Sequence, residues 1–200
     1  MTPFLIKYPP GATPLSPDER DGLIPDYITT HSELNELEQD NIQEANLWVR
    51  GKKSLNILEV KFVYELHKQM FGKVWRWAGK ARKSDKNIGV DWHLISTELP
   101  KLLEDLQYWI TNKTYSWDEI GARFHHRMVQ IHVFPNGNGR HARLITDLIL
   151  EIHGQDVFSW GMKEGRTPLD VESNLRRKYI DALVAADKSN YAPLFLFVRS

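Results

Sequence analysis

The 200-residue chain contains no cysteine. Disulfides and thiolate metal sites are therefore excluded, which suits a reducing compartment. It also lacks an excess of charge of either sign, since Lys and Arg total 26 and Asp and Glu total 26. A balanced chain does not carry the basic footprint of a nucleic-acid binder or a polybasic membrane anchor. No apolar run approaches the roughly twenty residues that a membrane helix needs, and the first residues lack the charged-then-apolar pattern of a secretory leader. No segment repeats at a fixed period. These absences lead to an expected cytoplasmic protein with neither membrane nor nucleic-acid partners. The hydrophobic share of 42% is enough for the core of one domain.

What is present is concentrated in His132-Val133-Phe134-Pro135-Asn136-Gly137-Asn138-Gly139-Arg140-His141-Ala142-Arg143. Upstream, Ser116-Trp117-Asp118-Glu119 has capping-box spacing, and Ile120, Phe124, Met128 and Ile131 recur at helical intervals. Downstream, Leu144, Leu148 and Ile152 share a face before Gly154. The stretch therefore reads as helix, loop, helix. A new helix N-terminus offers unpaired N–H groups and partial positive charge. Gly137 and Gly139 permit a sharp bend and close approach of an anion. Arg140 and Arg143 lie three apart on one helix face, and forked guanidiniums suit phosphate oxygens. A polyphosphate is the natural ligand of that arrangement. His132, at the rim, could take a proton from an incoming hydroxyl. Each feature alone has an ordinary reading, as a surface turn, a packed imidazole or a solvated helix face. Their order between two helices makes them specific. A Walker loop is excluded, because no Gly-Lys-Ser/Thr follows the glycines.

The stretch resembles the Fic motif, His-x-Phe-x-(Asp/Glu)-Gly-Asn-Gly-Arg-x-x-Arg, with Asn136 where the family usually has an acid. The family's usual activity moves AMP from ATP onto a Ser, Thr or Tyr hydroxyl of a protein. The resemblance implies that His132 is the base. Gly137, Asn138 and Gly139 would form the anion hole for the α- and β-phosphates, Arg140 would hold phosphate oxygens and Arg143 the γ-phosphate. Phe134 would be a buried anchor. The family's acid helps hold Mg²⁺, so Asn136 is the implied metal residue. An Asn carbonyl brings no charge, and weaker metal affinity is expected.

In chain order, residues 1–28 form a proline-rich arm whose prolines rule out regular helix, expected to lie extended on the domain or else to be a disordered tail. Thr29 to Arg50 reads as a helix, and Thr30-His31-Ser32-Glu33 is a capping box. Thr29 to Asn35 also resembles the inhibitory motif of many Fic proteins, Ser/Thr-x-x-x-Glu-Gly-Asn, with Leu34 in place of Gly. That resemblance makes Thr29, Glu33 and Asn35 regulatory and pairs Glu33 with Arg143, against the γ-phosphate. Residues 51–200 would then be the catalytic core with its C-terminal helices. Ser54 to Phe71 reads as helix with Leu55 and Leu58 inward. Asn87 to Val90 reads as a strand or hairpin arm, or equally as an ordinary loop; in the family this segment is a flap over the site that aligns the target by strand addition. Ile88 and Val90 are the expected flap contacts. A helix from Ser96 or Thr97 to Asn112 would hold Pro100 in its first turn. Thr167-Pro168 would open a helix to about Asp187, with Val171 and Tyr179 buried. Leu194 to Val198 should dock on the body.

The expected fold is all-α, a Fic-type helical bundle with a small β-hairpin flap. The pattern of proline-rich arm followed by Thr-Thr-His-Ser-Glu-Leu-Asn also resembles the small Fic proteins called mobile mystery protein B. The implied activity is protein adenylyl transfer, restrained by an N-terminal helix glutamate, with ATP as substrate, Mg²⁺ as cofactor and a hydroxyl-bearing target protein as partner. A homodimer is compatible with this reading. Removal of AMP, use of another nucleotide donor, or a catalytically weak binding role remain alternatives.

Overall fold

The computed structural model describes residues 13–52, 54–162, 169 and 173–200. Among these residues the fold is all helix, with one isolated antiparallel bridge between Leu23 and Trp75 and no strand. The elements are α1 (Pro17–Arg20), α2 (His31–Arg50), α3 (Val60–Phe71), α4 (Ile95–Asn112), α5 (Trp117–Ile131), α6 (Asn138–Ile152), α7 (Asn174–Asp187) and α8 (Ala192–Val198). Residues 1–12, a large part of the expected arm, and Thr167, Pro168 and Val171 lie outside the described residues.

Caps set most of the boundaries. Thr30 accepts from Glu33 N while the Glu33 carboxylate accepts from Thr30 N, which starts α2 with both halves of the box made. Ser116 starts α5 by accepting from Glu119 N, but the Glu119 carboxylate turns to Arg123 instead of closing the box. Ser173 caps α7. In the arm, Pro17 occupies the first position of α1, where its missing N–H is harmless, and Ser16 and Glu19 close a capping box. A single helical turn therefore interrupts the extended path expected there.

Three expectations change. Helix α3 begins at Val60 rather than Ser54, because Asn56 Nδ2 donates to Glu59 Oε1 at 2.6 Å and Glu59 N to Asn56 O at 3.1 Å, a local turn that competes with helix. Leu58 is consequently exposed. Helix α4 begins at Ile95, fed by a 3-10 turn at Trp92–Leu94 that Asp91 initiates by accepting from His93 N, so Pro100 lies inside the helix. The hairpin flap is absent among the described residues. Residues 82–91 run through bends and turns, for a reason that the site makes plain.

Buried faces of α2 to α6 enclose the main core, built around Leu66, Met70, Leu99, Leu106, Phe124, Ile131 and Ile145. A second cluster lies under α7 and α8, where Leu194 and Val198 pack with Phe158, Trp160 and Tyr179, so the apolar C-terminus docks as expected. Removing these apolar side chains from water drives their association. Helices α5 and α6 pack on one another and hold the loop 132–137 between them.

Candidate active site

His132 is the C-cap of α5 and sits in the left-handed region at φ 55°. A non-glycine residue held there needs support from outside. Arg82 supplies it. Its guanidinium, fully buried, donates from Nε to His132 O at 2.6 Å, from Nη1 to Ser84 O at 2.9 Å, and from Nη2 to Val90 O and to Ile131 O, the latter at 3.4 Å. Arg82 N donates to Val133 O at 2.9 Å. One side chain thus satisfies the carbonyls that a strand ladder would otherwise pair. This is why segment 82–91 needs no hairpin. Gly89, at φ +114°, passes close to His132 and Arg82, and a Cβ there would lie 2.8 Å from His132 Cβ and 2.9 Å from Arg82 Nη2.

The loop's floor is aromatic. Phe134 is buried and stacks on His67, ring centroids 3.7 Å apart. His67 Nδ1 accepts from Gly79 N at 3.0 Å, which leaves its proton on Nε2 to donate to Asn136 O at 3.1 Å. Burial pushes the pKa of His67 well down, so it stays neutral. Asn138 brackets Phe134, with Oδ1 accepting from Phe134 N at 2.9 Å and Nδ2 donating to Phe134 O at 2.7 Å. Gly137 has φ +77°, and a Cβ there would meet the Phe71 ring at 2.7 Å. Gly139 differs. A Cβ there would find nothing closer than 3.8 Å, so the protein's own packing does not require glycine at this position. It faces a cavity of about 320 Å³ that also reaches His132, Gly137, Asn138, Arg140 and Arg143. The first N–H groups of α6 have no intrahelical acceptor, and Asn138 and Gly139, which open the helix, line this space.

His132 is buried and neutral. Burial, aided by the charge of Arg82, lowers its pKa to about 4. Nδ1 is buried beside the Val129 carbonyl without a well-aligned hydrogen bond. That carbonyl favours the proton on Nδ1, which leaves the Nε2 lone pair to accept from Thr13 Oγ1 at 3.1 Å.

The two arginines differ in partner. Arg140 Nη1 pairs with Glu38 Oε2 at 2.6 Å and lies over the Phe71 ring, while Glu38 Oε1 accepts from Trp75 Nε1 at 2.5 Å. Arg143 stands beside Tyr179, whose hydroxyl is 2.9 Å from His125 Nε2. The structure does not bring Glu33 to Arg143. The exposed Glu33 carboxylate accepts from Thr29 N at 2.9 Å and Thr30 N at 3.0 Å, bonds that lower its pKa. Thr29 is exposed and belongs to that cap. Asn35 does reach the cavity, alongside Leu34 and Glu38. Ile88 lines the cavity and is exposed, whereas Val90 packs against the core.

Asn136 is not arranged as a metal ligand. Its Oδ1 accepts from Gly137 N at 2.6 Å and its Nδ2 donates to Thr13 O at 3.0 Å. Among the described residues no group of three or more His, Cys, Asp or Glu could hold a metal ion. The protein side of the cavity therefore does not fit a preformed Mg²⁺ site. The other histidines of this region are structural: His126 bonds Asp187 at 3.0 Å, and His141 Nε2 donates to Val63 O at 3.0 Å.

Sequence reasoning missed Thr13, Glu38 and Arg82. Glu38 left a trace, since it stands four residues after Leu34 on the buried stripe of α2, where a carboxylate needs a partner. Thr13 and Arg82 left none.

Residues 57–150 match the Fic/DOC family. The chain is 25% identical over 147 residues to the protein adenylyltransferase Fic of Aedes aegypti, which covers 72% of the chain and 27% of that protein. It is 25% identical over 145 residues to the protein adenylyltransferase Fic of Drosophila melanogaster, covering 70% and 27%. The chain thus spans about a quarter of the length of these curated relatives. Among solved structures, BepC from Bartonella tribocorum with bound AMPPNP superposes with a TM-score of 0.68 at 16% identity, covering 92% of this chain and 97% of that one. An ADP-bound N-terminal Fic domain from Bartonella quintana gives 0.64 at 17% identity, covering 87% and 86%.

Proposed function

From the match of residues 57–150 to the Fic/DOC family, we propose that this chain is a Fic protein and that it moves AMP from ATP onto a Ser, Thr or Tyr hydroxyl of a target protein. The relatives named protein adenylyltransferase support the reaction, and neighbours of the same fold carrying AMPPNP and ADP support the donor. One observation carries the reading for this chain. A single cavity joins the lone pair of a neutral His132 to the open N-terminus of α6 and to two guanidiniums.

The phosphates of ATP lie against the N–H groups of Asn138 and Gly139, and against that of Gly137 once Asn136 Oδ1 gives it up, with Arg140 and Arg143 on the outer phosphate oxygens. The target hydroxyl donates to His132 Nε2, its oxygen attacks the α-phosphorus, and pyrophosphate leaves. The cradle acts by positioning and by stabilising charge that develops on the phosphates. Arg82 acts through His132, fixing the strained backbone that aims the ring. A bound Mg²⁺ would supply neutralisation of phosphate charge, and Asn136 would contribute little to holding it while its Oδ1 accepts from Gly137 N.

The site is restrained by helix α2. Glu38, rather than Glu33, occupies the fork of Arg140 that a phosphate would take, so nucleotide must displace a carboxylate. The reaction is tested with ATP labelled at the α- or the γ-phosphate and a lysate as acceptor. Retention of the α-label alone is expected. Retention of the γ-label, or of neither by a Glu38→Gln protein, rejects adenylyl transfer.

A further inference from the structure

The chain places one of its own hydroxyls at the base. Thr13 Oγ1 is 3.1 Å from His132 Nε2, and Thr13 is 6% exposed. Its carbonyl accepts from Asn136 Nδ2 at 3.0 Å, so both ends of the residue are held by the loop that carries the base. Thr13 lines the same cavity as Gly139, Arg140 and Arg143.

The segment that delivers Thr13 is fastened along its length. Leu15 is buried in the main core. Ser16 and Glu19 form the capping box of α1, and the Glu19 carboxylate makes a part-buried ion pair with Lys86, in the segment that passes close to His132. Trp77 Nε1 donates to Glu19 O at 2.9 Å, and Ile24 N to Val74 O at 2.8 Å. A peptide so fixed has already lost the freedom that an incoming acceptor would have to give up, which raises its effective concentration at the base.

We propose that Thr13 is an acceptor of AMP in cis, a modification site of this chain; the proposal rests on the adenylyl-transfer reading above. Thr13 Oγ1 forms a bond to the α-phosphorus of ATP. The bond from that phosphorus to the α,β-bridging oxygen breaks, and pyrophosphate departs with the electron pair. The hydroxyl proton passes to His132 Nε2 and from there to solvent. A segment that only plugged the site would need bulk and no hydroxyl. Here the hydroxyl is the group that meets the lone pair. Other nearby hydroxyls are already used: Ser16 Oγ accepts from Glu19 N, and the Thr29 and Thr30 hydroxyls belong to the exposed cap of α2. A protein target must take the place of residues 13–15, so cis and trans acceptors compete.

The test uses the full chain and its Glu38→Gln variant, incubated with α-labelled ATP, Mg²⁺ and an acceptor lysate, followed by proteolysis and tandem mass spectrometry. An adenylyl group on Thr13 is expected. It should be retained at the same position in Thr13→Ser and be absent from that peptide in Thr13→Val and His132→Ala. Thermal melts confirm that the variants fold. Label on lysate proteins or on other residues of this chain, with the Thr13 peptide unmodified, overturns the inference and leaves adenylyl transfer standing. No label on any protein from the Glu38→Gln variant overturns both.

Discussion

The contact most open to measurement is the carboxylate of Glu38 in the fork of Arg140. The substitution Glu38→Gln keeps an oxygen to accept from Trp75 Nε1 and removes the charge. With that oxygen turned to Trp75, the new amide nitrogen faces the guanidinium, donor against donor. The pair being lost is short, at 2.6 Å, and largely shielded from water. A hydrogen bond between charged groups contributes about 1.5–3 kcal/mol. ATP must break this contact to reach Arg140, so that energy is subtracted from its binding. At about 1.4 kcal/mol per decade, Glu38→Gln should bind ATP about tenfold to a hundredfold more tightly. Titration calorimetry of the two proteins with ATP and Mg²⁺ measures the ratio directly. Thermal melts should show the complementary change: a lower midpoint without nucleotide, because Arg140 has lost its partner, and a larger rise on adding ATP. Glu33→Gln is the control. Its carboxylate is exposed and spent on Thr29 and Thr30, so ATP affinity should not change. Equal or weaker ATP binding by Glu38→Gln would refute the competition, and enhanced binding by Glu33→Gln would return the restraint to the residue that the short inhibitory motif suggested.

Two further outcomes follow from the same geometry. Gly139→Ala should fold normally, since its Cβ would have 3.8 Å of clearance, yet bind ATP more weakly because the methyl group enters the phosphate cradle; Gly137→Ala should instead lower stability, by about 1–3 kcal/mol, through its φ of +77° and the Phe71 ring. Stability should also fall on acidification below pH 6.5, the ordinary histidine value, because burial holds His125 at about 3 and His132 and His141 at about 4. In that window the unfolded chain binds protons that the folded chain refuses, so stability rises with pH, by about 1.4 kcal/mol per unit for each histidine. Asp147, raised by burial to about 6, works in the opposite direction between 3.8 and 6, since its folded form takes up the proton first. Burial lowers His67 and His126 as well, so the histidines outweigh Asp147 and leave a net loss toward low pH, which urea unfolding at pH 7, 6 and 5 would detect. A flat or inverted profile would contradict the neutral, buried imidazoles.

The parts of this molecule visible in its sequence are those fixed by neighbours in the chain. Ser116 and Thr30 announced two helix starts, and the apolar intervals of α5 and α6 announced their buried faces. The loop between α5 and α6 was equally plain, because its glycines, Asn138 and arginines act within a few residues of one another. The segment 82–91 misled because Ile88-Gly89-Val90 has strand-like residues, while its carbonyls are satisfied by a buried guanidinium that no periodicity reveals. The start of the helix expected from Ser54 moved to Val60 because of an Asn56–Glu59 turn, a competition decided by local hydrogen bonds. The contacts that define the site's present state are long-range. Glu38 meets Arg140 across 102 residues, and Thr13 meets His132 across 119. Such pairings appear only when the helices are assembled. The inhibitory motif illustrates the difference, since Glu33 matched the short pattern, yet the assembled helix turns Glu38 toward the loop.

The central claim is that one cavity binds the phosphates of ATP while His132 accepts the proton of the attacking hydroxyl. It is tested most directly by measuring ATP affinity and α-label transfer in parallel for the Glu38→Gln protein with and without His132→Ala. The account predicts that ATP binds both with similar affinity and that transfer disappears with the imidazole. Undiminished transfer without His132, or loss of ATP binding together with transfer, would contradict it.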